Sequence, residues 1–368
     1  MSQKELDEIE MMRKCLIVQF EPRHEEVLPS VIAACNFAGY RPTVLLNRRI
    51  KRVRGDIFQL VQGGVADIRY QSLSPDQDAE AADWDRELAD DIDFVIVNTL
   101  NRPKVANWAK RCGKPVIALI HNVDQFMKNP KFTDLLGRPD FVFMTLGMHV
   151  TSALNARTDG NYIDKFGFLA PYVLTDTPQD YSVSTPRKVV VPGNLTLRSR
   201  NYLGLIDALS AHPARWENLV FEFPSSGDSR DLVADAITEN KLSHKITILP
   251  AGANNEVPHE DVFKCFRSAT FFHPLIADGF AQYQTIKITS TTSMSVGFGV
   301  PMIMDRYSES CYRFPMLVSD HSIEATLDRL STVEEQELMD ISAKLDAYRT
   351  EMTERSGRDM ARMISLIV

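Results

Sequence analysis

Short apolar runs alternate with stretches of helical spacing along almost the whole chain. In the first half the runs are CLIVQF (15–20), PTVLL (42–46), DIRY (67–70), DFVIV (93–97), PVIAL (115–119) and DFVFM (140–144). Several are apolar at every position, as strands covered on both faces are. Segments 25–39, 101–112 and 147–156 carry helical spacing between them. This βαβα order predicts a mostly parallel sheet with helices on both faces. The pattern stops at APYVLTDTPQDYSVSTPRK, which holds three prolines and many small polar residues, and a linker is expected there. It restarts with KVVVP (188–192), NLVFEF (218–223), KITIL (245–249), ATFFH (269–273) and VPMIM (300–304), and residues 333–368 read as helix.

The expected architecture is α/β, with two Rossmann-like doubly wound domains facing each other across a cleft. The expected boundaries are an N-terminal extension at 1–13, an N-terminal domain at 14–175, a linker at 176–187 and a C-terminal domain at 188–345. A last helix, 346–368, is expected to pack back on the first domain. A chain of 368 residues is long enough for this. In such sheets ligands bind outside the carboxyl ends of the strands, so the loops after strands are where chemistry is sought.

Composition narrows the function classes. Net charge is −8 and the sequence pI about 5.6, which argues against a general nucleic-acid binder. The five cysteines, Cys15, Cys35, Cys112, Cys265 and Cys311, have no metal-ligand spacing and read as free thiols in a reducing compartment. The charged start MSQKELDEIEMMRK is not a secretory signal, and no apolar run is long enough to span a membrane. A cytoplasmic protein is expected, with peripheral contact at the inner face of a membrane left open. NRRIKRVRGD, with five cations at 48–54, is the local exception to the acidic balance. Arg48, Arg49 and Arg52 suit an anionic membrane surface; the alternative is a solvated helix face.

Candidate chemistry sits in five places. EPRHEE, after the first strand, puts Glu21 and His24 towards the cleft, where a histidine serves as a base or holds a hydroxyl; a helix cap with solvated charges is the other reading. ALIHNVD puts His121 and Asn122 directly after a buried strand, with Asp124 two residues on; the alternative is a turn with a satisfied surface histidine. VVVPGNLTLRSRNYLGLIDAL is a strand, a Gly193-Asn194 turn and a helix, with Arg198 and Arg200 near the helix start, where free N–H groups favour an anion. The loops 224–230 and 250–258 are rich in small residues and follow strands. The last place is DGFAQYQTIKITSTTSMSVGFGVPMIM, where Asp278, Tyr283, Lys287 and Thr289 precede Gly299 and Pro301. Tyr283 and Lys287, four apart, are expected on one helix face. A Tyr-Lys hydride-transfer pair is rejected because the glycine-rich dinucleotide loop after the first strand is missing.

Together these segments resemble the GT-B glycosyltransferases, nearest to the retaining, nucleotide-sugar-dependent group that builds polysaccharides and glycolipids. ALIHNV resembles the family's histidine-bearing loop beside the reacting sugar. VVPGNLTLRSRNYLGLIDAL resembles its first C-domain strand, turn and helix. ATFFHPLIADGFAQYQTIKITSTTSMSVGFGVPMIM resembles its donor-binding segment. There is one departure: the family has two glutamates eight positions apart before Gly-x-Pro, and here those positions fall near Lys287 and Met294 to Ser295.

The resemblance implies transfer of a sugar from a nucleoside diphosphate donor to a hydroxyl of a saccharide or lipid-linked acceptor. It implies a donor held in the C-terminal domain, no cofactor beyond the nucleotide sugar, and no nucleic-acid partner. A metal is not expected, since no D-x-D follows a strand. The other function class to weigh is a non-catalytic nucleotide-sugar-binding or transferase-supporting subunit.

Overall fold

A computed structural model describes residues 12–61, 64–73, 91–172, 182–252 and 255–368. Most of the expected N-terminal extension and half of the expected linker lie outside these residues. Seven parallel strands form the first sheet: β1 (Arg13–Gln19), β2 (Tyr40–Asn47), β3 (Asp67–Gln71), β4 (Ile92–Val97), β5 (Val116–Ile120), β6 (Phe141–Thr145) and β7 (Phe166–Phe168). Their order is β3-β2-β1-β4-β5-β6-β7, so the chain winds outwards from β1 in one direction and then, from β4, in the other. β5 is apolar throughout and β1, β4 and β6 mostly so, because both faces are covered; β3 at the edge, DIRYQ, is not. Leu16, Val18, Val95 and Val97 enter one core, while their neighbours Cys15, Ile17, Phe94 and Ile96 enter the other.

The second half repeats the topology. β8 (Arg187–Val190), β9 (Leu219–Phe223), β10 (Ile246–Ile248) and β11 (Phe271–Phe272) pair in the order β10-β9-β8-β11. A parallel bridge from Phe272 to Met302 continues this sheet towards β12 (Ile303–Asp305) and β13 (Leu317–Ser319). Each sheet has a switch in strand order, at β1/β4 and at β8/β11, and the loops leaving these strands face the same space.

The last helix, Glu335–Ser365, has 31 residues and is about 46 Å long at 1.5 Å per residue. Leu338, Ile341 and Leu345 are buried in the core of the second unit, and Met360, Met363 and Ile364 in that of the first. Its polar face also grips both units. Ser342 Oγ donates to the Gly299 carbonyl at 2.7 Å, and the Phe168 N–H donates to Asp359 at 2.9 Å. The helix therefore runs unbroken from one core to the other.

The helix expected to carry Tyr283 and Lys287 is broken. One turn, Gln282–Thr285, ends before Lys287, and a second helix, Ser290–Phe298, begins after it. The β-branched Ile286, Ile288 and Thr289 disfavour helix here, and Thr289 instead caps the second helix by accepting from the Thr291 N–H at 3.4 Å. The first unit holds the break open: the Val123 N–H donates to the Ile286 carbonyl at 3.0 Å, and His149 Nε2 to that of Lys287 at 3.2 Å.

Candidate active site between the two sheets

A cavity of about 700 Å³ lies where the two sets of loops meet, lined by His24, Glu26 and His121 from the first unit and by Gly193, Ser226, Lys287 and Ser290 from the second. On the first side two imidazoles stack, His24 on His121, with ring centroids 4.2 Å apart and planes 20° from parallel. His121 Nε2 lies 2.7 Å from the Asn98 carbonyl, so it carries the ring proton and leaves Nδ1 as an acceptor. Burial holds His121 well below the usual histidine range, and the neighbouring His24 lowers it further. His24 is also lowered by burial. Its Nδ1 stands 3.4 Å from Thr99 Oγ1, whose own proton goes to Gln19 Oε1 at 3.2 Å. Nδ1 is then the donor, and Nε2 is left with its lone pair. His24 has φ +69°, a left-handed conformation uncommon outside glycine and worth noting at a site.

The next two residues are both glutamates with opposite behaviour. Glu25 is fully buried and receives Arg54 at 3.0 Å and His259 at 3.1 Å. Its own burial pushes the carboxyl up, but these partners outweigh it and hold the group down at about 2. Glu26 faces the cavity. Burial first, and then the Glu25 charge, push it up to about 7. Arg54 also reaches Glu256 of the second unit at 3.0 Å, so Glu25, Arg54, Glu256 and His259 form an ionic crossing between the units.

On the second side, Gly193 turns the chain after β8 with φ +95°, and a Cβ there would meet the Arg200 guanidinium. Gly227 lets the loop after β9 press against the Leu195 backbone, which a Cβ would strike. The Leu195 N–H donates to the Ser226 carbonyl at 3.0 Å and its carbonyl accepts from the Ser229 N–H at 3.0 Å, stitching the two loops into one wall. Ser226 Oγ in this wall is buried without a partner among the described residues. Lys287 Nζ lies over the rings of Tyr283, at 4.7 Å, and Phe280, at 4.8 Å. Burial lowers its pKa, and the nearby charges of Arg198 and Arg200 lower it further. Three cations crowded together favour an anion among them.

A second cavity, about 480 Å³, opens mainly on the first unit, lined by Glu21, Arg23, Arg49, Asn101 and Arg102 among others, with Glu256 contributed by the second unit. His24 lines both cavities and so stands at their junction.

Two tandem, parallel, doubly wound sheets with a cleft between their carboxyl ends also describe a set of solved structures. Over 96% of this chain and 99% of the other, the chain is similar to Alr3699/HepE from Anabaena, crystallised in complex with UDP and glucose, with TM-score 0.64 and 12% identity. The fold is GT-B. A glycosyltransferase from Rickettsia africae matches 97% of this chain over 96% of its own, at TM-score 0.56 and 12% identity. UDP-N-acetylglucosamine 2-epimerase from Rickettsia bellii matches 93% over 95%, at TM-score 0.51 and 14% identity. No family model and no curated protein sequence matches the chain.

The GT-B cleft gathers some of the residues singled out from sequence and leaves others aside. His24, His121, Gly193, Asn194, Arg200, Tyr283 and Lys287 line the larger cavity. Arg200 is buried and donates to the Pro274 carbonyl, so it braces the wall, while Arg198 is exposed. Both precede the helix Tyr202–Ala211, whose cap is Asn201. Glu21 is tied to Arg102 at 2.7 Å and lines the smaller cavity. Asn122 caps the helix Val123–Met127, and Asp124 pairs with Arg157 at 3.0 Å; neither lines the cleft. Asp278 lies on a separate cavity of the second unit beside His321. Thr289 is buried, its N–H donating to the Tyr312 hydroxyl at 3.0 Å. Arg48, Arg49 and Arg52 are exposed, and Arg49 also lines the smaller cavity. The positions where the resembled pattern has carboxylates fall near Lys287 and Met294 to Ser295; of these Lys287 lines the cavity, as do Ser290 and Ser293 of the helix Ser290–Phe298. Sequence reasoning missed Glu26, Arg54 and Glu256 as site residues; Glu26 is two positions from His24.

Proposed function

We propose that the protein is a glycosyltransferase that moves a sugar from a nucleoside diphosphate donor to an acceptor hydroxyl. The observation that carries this is the position of His24, at the junction of a cleft with a cationic wall and a second cavity lined mainly by the opposite unit. The donor diphosphate lies against Lys287 and Arg198, with the Gly193 turn allowing close backbone approach. The buried Ser226 hydroxyl takes a ribose or base group. His121 Nδ1 accepts from a hydroxyl of the transferred sugar.

In the reaction the bond from the anomeric carbon to the diphosphate oxygen breaks, and its electron pair stays on phosphate. Fixed cations at that oxygen stabilise the developing charge without reorganising. The acceptor oxygen forms the new bond, and its proton passes to His24 Nε2. Glu26, poised near neutrality, exchanges that proton with solvent. Structures of this fold crystallised with UDP and glucose support the donor class.

The test is transfer and hydrolysis with a panel of nucleotide sugars, beginning with UDP-glucose, on wild type and Lys287→Ala. Loss of the lysine should lower turnover by about 10²-fold and weaken UDP binding. A Lys287→Ala protein with wild-type turnover and UDP affinity removes the donor assignment. UDP binding without transfer, hydrolysis or epimerisation of any donor would instead leave a binding subunit.

A further inference from the structure

The smaller cavity has a charge balance unlike the rest of this acidic chain. Its lining holds four arginines, Arg23, Arg49, Arg54 and Arg102, against two glutamates, Glu21 and Glu256. Both glutamates are already matched: Glu21 receives Arg102 at 2.7 Å, and Glu256 receives Arg54 at 3.0 Å. Arg54 is spent twice over, since it also holds the buried Glu25. Arg23 and Arg49 have no ion-pair partner among the described residues. They come from different segments, the loop after β1 and the helix Arg48–Arg54, and converge on one concave surface. Asn101 adds a buried amide oxygen without a partner, suited to accept from a hydroxyl. Ile50 and Val53 supply an apolar floor. A planar guanidinium fork matches a carboxylate or phosphate and is poorly used by a neutral ligand.

We propose that the acceptor is an acidic saccharide, whose carboxylate or phosphate is held by Arg23 and Arg49 while its hydroxyl reaches His24. This rests on the transferase reading above. It also gives part of the basic stretch a task at the site: Arg49 faces the cavity, whereas Arg48 and Arg52 do not line it.

The experiment measures equilibrium binding of three probes: p-nitrophenyl glucuronide, glucose 6-phosphate and neutral p-nitrophenyl glucoside. Wild type, Arg49→Gln and Arg49→Lys are compared, with UDP affinity determined on the same samples. At least one anionic probe should bind about tenfold or more tightly than the neutral one. The ratio should shrink at high salt, collapse in Arg49→Gln and partly return in Arg49→Lys. Whichever anionic probe binds more tightly identifies the anion. Equal binding of charged and neutral probes, no binding of any probe, or a preference that survives Arg49→Gln overturns the proposal. UDP binding without a charge preference overturns the acceptor assignment alone; a charge preference without UDP binding overturns the donor reading alone.

Discussion

Replacing Glu26 by glutamine should make the protein more stable and the site less active. The carboxyl stands at about 7 against an ordinary 4.5, because burial penalises the carboxylate and Glu25 beside it stays ionised. A carboxyl raised in this way binds its proton more tightly folded than unfolded. Its ionisation therefore costs nothing below about pH 4.5, and the cost grows as pH rises towards about 7 and is then complete. The rise from 4.5 to about 7, at 1.36 kcal/mol per pH unit, corresponds to about 3 kcal/mol. Glu26 keeps partial access to solvent through the cavity, so screening reduces this to about 1–2 kcal/mol.

Glutamine keeps the shape and removes the charge. Urea unfolding of Glu26→Gln should show a higher midpoint at about pH 8 and no difference at about pH 4, read as midpoints because two units need not unfold as one. If the variant is equally or less stable at about pH 8, the carboxylate is not under strain and the reasoning fails. The functional half is independent: if Glu26 relays protons, the rate profile of wild type has a limb near neutrality that the variant lacks.

His24→Ala should lower transfer by about 10²–10⁴-fold, as loss of a general base does, with UDP affinity nearly unchanged; a comparable loss of UDP binding would place His24 on the donor instead. Arg54→Ala should destabilise by about 3 kcal/mol, since removing one partner of a buried pair leaves Glu25 with His259 alone, and unfolding at neutral pH measures it. Arg54→Lys, a single ammonium asked to serve both Glu25 and Glu256, should fall between. Glu25 is depressed to about 2 from 4.5, so the stability it contributes is complete above about pH 4.5 and is lost as pH falls towards 2; Glu25→Gln should flatten that acid limb of the stability profile. Liposome co-sedimentation of wild type and an Arg48→Ser/Arg52→Ser variant should show anionic-lipid binding that falls with salt if the exposed arginines reach a membrane; equal binding to neutral lipid leaves them as a solvated face.

Much of the fold was legible because burial on both faces leaves a mark in sequence. β1, β4, β5 and β6 are runs in which consecutive apolar residues enter one core and then the other, so they stand out from the helices around them. β7 and β13 have three residues each and leave no such mark. The break at 286–289 was hidden for a different reason. Weak helix propensity was visible, but what decides the conformation is two hydrogen bonds from Val123 and His149, more than a hundred positions away. The site divides in the same way. His24 and His121 follow strands on either side of the switch point, and topology alone brings their loops together. Asn122 and Asp124 occupy an equally good position, yet a cap and an ion pair use them up locally. Glu25 and Glu26 are adjacent and chemically identical in sequence. Only the arrival of Arg54 and His259 at one of them separates an ion-pair anchor from a group that titrates near neutrality.

That separation ties the chemistry to the closure of the cleft. Glu25 belongs to the first unit, while His259 and Glu256 belong to the second, and Arg54 touches both sides. Holding Glu25 ionised requires the units to be close enough for these contacts. An ionised Glu25 is in turn one of the two causes that raise Glu26. If the units part, His259 leaves Glu25, water reaches both carboxyls, and the reasons for the high Glu26 value weaken together. In this arrangement the cleft carries a carboxyl raised to about 7, and the charge of Glu25 is one of the causes. The same contacts sit beside His24, and the helix Glu335–Ser365 is buried in one core near its start and in the other near its end. If Glu26 handles protons as proposed, its titration depends on contacts between the units, so His259, which holds Glu25 at 3.1 Å and lines neither cavity, should alter the pH dependence of the site when replaced.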